Sequence, residues 1–351
     1  MSLFYFADDA AEDGYRLLLE GARFADTHGF TAVWTPERHF HAFGGRYPNP
    51  SLTGAAVAAT TRNVAVRAGS VVAPLHNPVR VAEEWSVVDN LSGGRAGVSL
   101  APGWHVVDFT LCPENYQSRR EVLTESLHTI RKLWRGESIE LPDGNGDLSS
   151  VRIHPRPVQP ELPIWLTSSG SAGTFKQAGE LGTGVLTHLL GQSLDELAGK
   201  IADYRANHER CHGTRGHVVL MLHTFIGPDS DTVLEVVREP FRAYLRSSIG
   251  LITQAARELL PGIDPDTLDP EDIDFLVDHS FDRYYRTGGL FGTVDEGLKV
   301  LERLTEIEVD EVACLIDFVP DADAVLTGLH HLAELREAHT SRQRTLATAR
   351  T

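Results

Sequence analysis

Cysteine is nearly absent: Cys112, Cys211 and Cys314 lie far apart in 351 residues, with no CxxC pair among them. That spacing supplies neither a disulfide framework nor a structural zinc knuckle. Lysine is almost as scarce, at positions 132, 176, 200 and 299 only, and acidic residues outnumber basic ones to give a formal net charge of −17. A surface of that sign repels nucleic acid and anionic membranes. No apolar run approaches the ~18 residues that a bilayer span requires. The opening segment MSLFYFADDAAEDG turns acidic by Asp8 without a basic stretch. A secretory leader is therefore not expected, and a reducing cytoplasm is. A glycine-rich dinucleotide fingerprint is missing too. Phe6-Ala7-Asp8-Asp9 stands where it would follow the first apolar run, which disfavours a doubly wound open sheet.

What is present is alternation. Residues 64–73 are dense in β-branched and small side chains, as in a strand buried on both faces. Asn77 and Pro78 then read as cap and first residue of a helix, whose Val81, Trp85, Val88 and Leu91 share one stripe until Gly93-Gly94 stops it. The same strand–helix unit recurs. Strands are predicted at 3–7, 31–35, 64–73, 96–101, 163–167, 184–187, 218–226 and 311–318, each followed by a helix. The predicted fold class is α/β, a (β/α)8 TIM barrel forming a single domain over 1–338. An acidic insertion at about 227–291, before the eighth strand, is expected to form a lid. Residues 137–163, with a DGNG turn, are expected to hold a small hairpin, and 339–351 a flexible tail.

Barrel chemistry sits where strands end. That rule selects Glu37, Arg38 and His39, then His76, Trp104 and His105, the run from Ser168 to Thr174, and His188, His223 and Asp317. In the Ser168–Thr174 run, Ser169, Ser171 and Thr174 bring hydroxyls and Gly170 and Gly173 let backbone approach, at a helix start whose amides favour a phosphate. An ordinary glycine-serine loop with a helix cap has the same pattern. His39 and His41 have the spacing of a metal pair that His188, His223 and Asp317 could complete in a binuclear hydrolase. The flexible loop at Phe43-Gly44-Gly45-Arg46 counts against that arrangement, and no metal is expected.

Four motifs together resemble the bacterial luciferase-like superfamily of flavin-dependent barrels, closest to its natural-product monooxygenases. They are TPERHF at 35–40, GSVVAPLHNPVRVAEEWSVVDNLSGGR at 69–95, APGW at 101–104 and LTSSGSAGTFKQAGELG at 166–182. The resemblance implies reduced FMN, held without a covalent link and supplied by a separate flavin reductase. Oxygen would be activated as a flavin C4a-(hydro)peroxide to oxygenate a biosynthetic intermediate, free or bound to a carrier protein. It implies a phosphate held by Gly170, Ser171 and Thr174 beside Ser169, a non-proline cis peptide between Gly69 and Ser70 under the ring, and a homodimer. His39 tuned by Glu37 would be the acid/base. Arg38, His76, Trp104, His188, Arg283 and Tyr285 would line the substrate side, with Tyr284 beside them. The first of the two adjacent histidines that follow the glutamate in luciferase itself, its reactive cysteine and its phosphate-binding arginine are replaced here by Arg38, Ala101 and Pro102, which speaks against light emission from a long-chain aldehyde. Three alternatives stay open at this level: a deazaflavin-dependent hydride transfer, a metal-dependent hydrolase, and a non-catalytic flavin-binding subunit.

Overall fold

The barrel strands come from the segments that the alternation picks out. The structure is a computed structural model that describes residues 1–9, 14–189, 191–259 and 270–350. Its strands are β1 (Ser2–Phe4), β2 (Ala32–Thr35), β3 (Ala65–Val72), β4 (Ala96–Ala101), β5 (Ile139–Pro142), β6 (Leu148–Val151), β7 (Ile164–Ser168), β8 (Gly184–His188), β9 (Val218–Ile226), β10 (Leu290–Gly292) and β11 (Glu311–Leu315). The main sheet runs β10-β9-β11-β1-β2-β3-β4-β7-β8, and pairing of β8 with β9 closes it into an eight-stranded ring from which β10 extends. Every pairing in the ring is parallel. The ring is thus the expected (β/α)8 barrel, and β5 and β6 form the expected hairpin outside it.

The helices are α1 (Arg16–Thr27), α2 (Pro50–Thr60), α3 (Pro78–Ser92), α4 (Arg119–Arg135), α5 (Ala172–Leu181), α6 (Leu194–His212), α7 (Ser230–Leu259), α8 (Pro270–Arg283), α9 (Val294–Glu306) and α10 (Ala322–Arg350). Local chemistry fixes several of their ends. Asn49 accepts from the Ser51 and Leu52 amides to start α2, and Asn77 accepts from Val79 to start α3, each ahead of a proline. Capping boxes, Ser193 with Glu196 and Thr293 with Glu296, start α6 and α9. Gly93 ends α3 in the left-handed region.

The strands at 3–7 and 311–318 are shorter than expected, and two helix boundaries differ further. The helix that follows β1 starts only at Arg16, and residues 10–13 lie outside those described. The closing helix runs on as α10 to Arg350, through the stretch read as a tail. Its sequence TSRQRTLATAR holds no glycine or proline to stop a helix, and Arg342 pairs with Glu302 of α9.

At one end of the barrel interior, Arg67 lies between the Trp34 and Trp165 rings, 4.9 and 4.7 Å from their centroids. It meets both oxygens of Glu311, which also accept from Ser2 and Trp34. At the other end, the excursion between β9 and β11 folds back on the ring. Val233, Val237, Phe241 and Leu245 recur every fourth residue along α7, and all four are buried. Phe241 packs on Phe318, just beyond β11, and Tyr244 on Phe43, in the loop after β2. Helix α7 therefore covers the ends of strands on opposite sides of the chain.

Candidate active site

The loops after β2 and β3 bring three polar side chains to one point. Glu37 is buried, and its Oε1 accepts from His39 Nε2 at 2.8 Å and from His76 Nε2 at 2.6 Å, while Oε2 accepts from the Val72 amide at 2.7 Å. Burial would raise this carboxyl, but the two imidazoles and the amide hold it below its ordinary value. An ionised carboxylate offers only lone pairs, so both Nε2 atoms carry hydrogen and Nδ1 of each ring lies outside the contact with Glu37. Burial would depress His76, and Glu37 outweighs it, so His76 is held above its usual value. Among the described residues these three are also the group whose donor atoms lie close enough to hold a metal ion.

The five-residue hydrolase arrangement is not assembled. His41 Nδ1 accepts from the Phe43 amide, and Asp317 accepts from the Phe6 and Ala7 amides and the Tyr47 hydroxyl. Burial pushes Asp317 up to about 6. His223 lies among the rings of Phe241, Tyr244, Tyr284 and Phe318, and burial aided by His188 pushes it down to about 3. His188, at the end of β8, is pushed down to about 4 by burial. Both rings are neutral near pH 7.

A second cluster surrounds Arg38. Its guanidinium lies 5.2 Å from the Trp104 centroid and 5.7 Å from that of Phe6, with Asp108 at 3.6 Å. His105 Nδ1 holds Asp108 at 2.8 Å. Asp108 and Phe6 were not among the sequence candidates. The His105-x-x-Asp108 spacing was a usable signal, whereas nothing near Phe6 marks it as part of a site. In the insertion, Tyr284 faces the His223 cluster, while Arg283 is exposed and stacks on Tyr284. Tyr285 stacks on Phe281 and Phe291, and its hydroxyl donates to the Ser230 carbonyl. Sequence spacing had not separated these three neighbours.

The residues expected to hold a flavin fit one. The Gly69–Ser70 peptide is cis, and the β3–β4 register shifts between Gly69 and Val71. A Cβ on Gly69 would stand 2.6 Å from a Phe4 ring carbon, so only glycine fits. The Ser70 hydroxyl bonds Thr167, which bonds Ser99 at 2.7 Å, a chain of interior hydroxyls that the sequence reading overlooked. Beyond β7, Ser171 stands at the N-cap of α5 with no side-chain cap bond, unlike Asn49, Asn77, Ser193 and Thr293. Ser169, Ser171 and Gly173 are exposed, and Gly170 at φ +110° packs on Gln192. A helix start with unspent hydroxyls and no acidic residue in its first turn suits an anion.

A family profile described as luciferase-like monooxygenase matches residues 2–310. The chain belongs to this family. Its relatives include the oxygenase component of a flavin-dependent trigonelline monooxygenase from Acinetobacter baylyi, 25% identical over 86% of this chain and 83% of the relative. They also include a 4-hydroxyprotoasukamycin monooxygenase from Streptomyces nodosus subsp. asukaensis, 29% identical over 55% of this chain and 54% of the relative. Among solved structures, the oxygenating constituent of 3,6-diketocamphane monooxygenase from Pseudomonas putida, in complex with FMN, superposes with a TM-score of 0.72 at 19% identity, covering 95% of this chain and 96% of that one. An F420-dependent secondary alcohol dehydrogenase shares the fold at a TM-score of 0.69 and 19% identity, covering 96% and 99%. The same barrel thus carries FMN in one of these neighbours and F420 in the other. Among the described residues no helix is long and apolar enough to cross a membrane.

Proposed function

We propose that this protein is the oxygenase of a two-component, FMN-dependent monooxygenase. The observation that carries the reading is the Glu37-bridged pair of imidazoles at the barrel mouth, on the same rim as the uncapped start of α5. Ser169, Gly170, Ser171 and Thr174 would hold the FMN phosphate, and Gly69 and Ser70 would back its ring. When bound, the reduced flavin supplies the electrons and the activation of O2. The chain's own residues do the rest. Glu37 fixes the tautomer and orientation of His39, whose Nδ1 then exchanges a proton with the substrate or with oxygen undergoing reduction. His76 is the second such ring, and its contact with Glu37 makes it part of the acid/base unit as well as a pocket wall. Helix α7, with Phe241 and Tyr244, excludes water from the mouth.

A separate flavin reductase is supported by the relative named as an oxygenase component. The relative named 4-hydroxyprotoasukamycin monooxygenase supports a natural-product intermediate as substrate. Deazaflavin-dependent hydride transfer is the second reading, because an F420 enzyme shares the fold and the imidazole pair would serve either chemistry.

One experiment separates them. The protein is titrated with FMN and with F420, then mixed with FMNH2 without oxygen and exposed to oxygen. Tighter FMN binding, together with flavin reoxidation slower than in free solution, is expected. Tighter F420 binding with oxygen-indifferent behaviour would overturn the proposal.

A further inference from the structure

Among the described residues, the Arg38 side chain at the mouth makes no hydrogen bond. The residue is only 6% exposed. Its Nε is sealed from solvent and has no partner among the described residues. Its Nη1 comes no nearer to Asp108 than 3.6 Å, beyond hydrogen-bonding length. Asp108 is turned instead to His105. A buried guanidinium with unmet donors is costly, and nearby space for a better pairing is filled by the faces of Phe6 and Trp104. Such an arrangement is stable as a resting state for a side chain that waits for an incoming anion.

We propose that Arg38 recognises a carboxylate on the substrate, so that the oxygenated compounds are organic acids. The inference rests on the proposed monooxygenase reading for what happens next, but not for the binding itself. The guanidinium fork matches a carboxylate in two parallel hydrogen bonds. Asp108 stands beside the single cation, which favours a monoanion over a phosphate dianion. Arg38 directly precedes His39 in the chain, so a carboxylate held there anchors the substrate beside the imidazole pair. Tyr244 of α7 packs on Phe43, and Phe43 on the Phe6 ring that flanks Arg38, which puts the anchored group beneath the covering helix.

The test is calorimetric, on the FMN-loaded protein, with benzoate, nicotinate and cyclohexanecarboxylate as probes beside their uncharged amides. The acids should bind at least about tenfold tighter than the amides. Arg38→Met should erase that preference without lowering the melting temperature, since an ill-paired buried charge is removed. Arg38→Lys, which keeps charge but not the fork, should show an intermediate preference, and it decides the matter if Arg38→Met fails to fold. Equal binding of acids and amides, no saturable binding of any acid, or an acid preference that survives in Arg38→Met would each overturn the proposal. So would a large fall in melting temperature with the preference intact, which would make the guanidinium a fold element. FMN uptake is followed in parallel. Benzoate binding through Arg38 in a protein that refuses FMN would sink the flavin assignment and leave the carboxylate site standing.

Discussion

At the scale of single residues, the chemistry turns on which atoms of two imidazoles remain available. Both Nε2 atoms are committed to Glu37, so in the proposed mechanism proton exchange passes through Nδ1. His39→Ala is expected to leave the FMN dissociation constant within about threefold and to lower substrate oxygenation by about 10²-fold, the usual contribution of one positioned acid/base group. Wild-type turnover in that variant would remove His39 from the mechanism. Glu37, His39 and His76 were all legible in the sequence, because each stands just past a recognisable strand. Their convergence on one oxygen was not, since it depends on the turn geometry after β2 and β3. Arg38 was legible as a pocket residue, but its missing partners became visible only when Asp108 proved to be held by His105.

At the scale of elements, α5 and α7 carry different tasks. Helix α5 has an N-cap serine that caps nothing. Ser171→Ala with Thr174→Val should therefore weaken FMN binding by about ten- to a hundredfold, some 1.4 kcal/mol for each tenfold step, in a fluorescence titration. An unchanged dissociation constant would remove the phosphate from this cradle.

Helix α7 seals His223, whose pKa of about 3 lies far below the unfolded value. The native state thus refuses a proton that the unfolded chain accepts below about pH 6.5, and stability is lost as pH falls from there toward 3. His223→Phe, which suits a ring already ringed by aromatics, should match wild type near pH 7. It should gain on it by up to about 1.4 kcal/mol per pH unit in acid, measured by denaturant unfolding. A gap independent of pH would refute the buried neutral imidazole. The eight ring strands were readable because parallel strands buried on both faces are continuous apolar runs. The three-residue β10 is too short to leave such a trace, and the mixed composition of the insertion hid which neighbours of Tyr284 would turn inward.

At the scale of the molecule, one ion pair plugs the end of the barrel away from the chemistry. Glu311 is 5% exposed and held at about 2, because Arg67 and the hydrogen bond from Ser2 outweigh burial. A carboxyl lowered in this way stabilises the fold above its unfolded value of about 4.3, and the contribution disappears as pH falls from there toward 2. Glu311→Gln leaves Arg67 buried without its counter-charge and should cost about 3–5 kcal/mol at neutral pH. Replacing both residues by apolar ones should recover most of that loss. If the single variant unfolds at the same denaturant concentration as wild type, the pair is no plug. Strand positions alone show that residues 67 and 311 lie inside a barrel. That they meet follows only from ring closure, which places β11 beside β1 and across from β3.

That closure also has a meaning in time. Ser2 pairs with Ala313 and Phe4 with Leu315, so the first strand made has neighbours on both sides only after the last strand is made. The family profile itself stops at residue 310, one position before β11. During synthesis, at roughly 5–20 residues per second, β1 waits with an open edge for the tens of seconds that the remaining chain requires. The Phe6 and Ala7 amides wait with it, since their acceptor Asp317 arrives later still. The ring and its mouth are therefore completed only once β11 and Asp317 have been made, and until then β1 presents an unpaired parallel edge, the kind of edge that invites association with other chains.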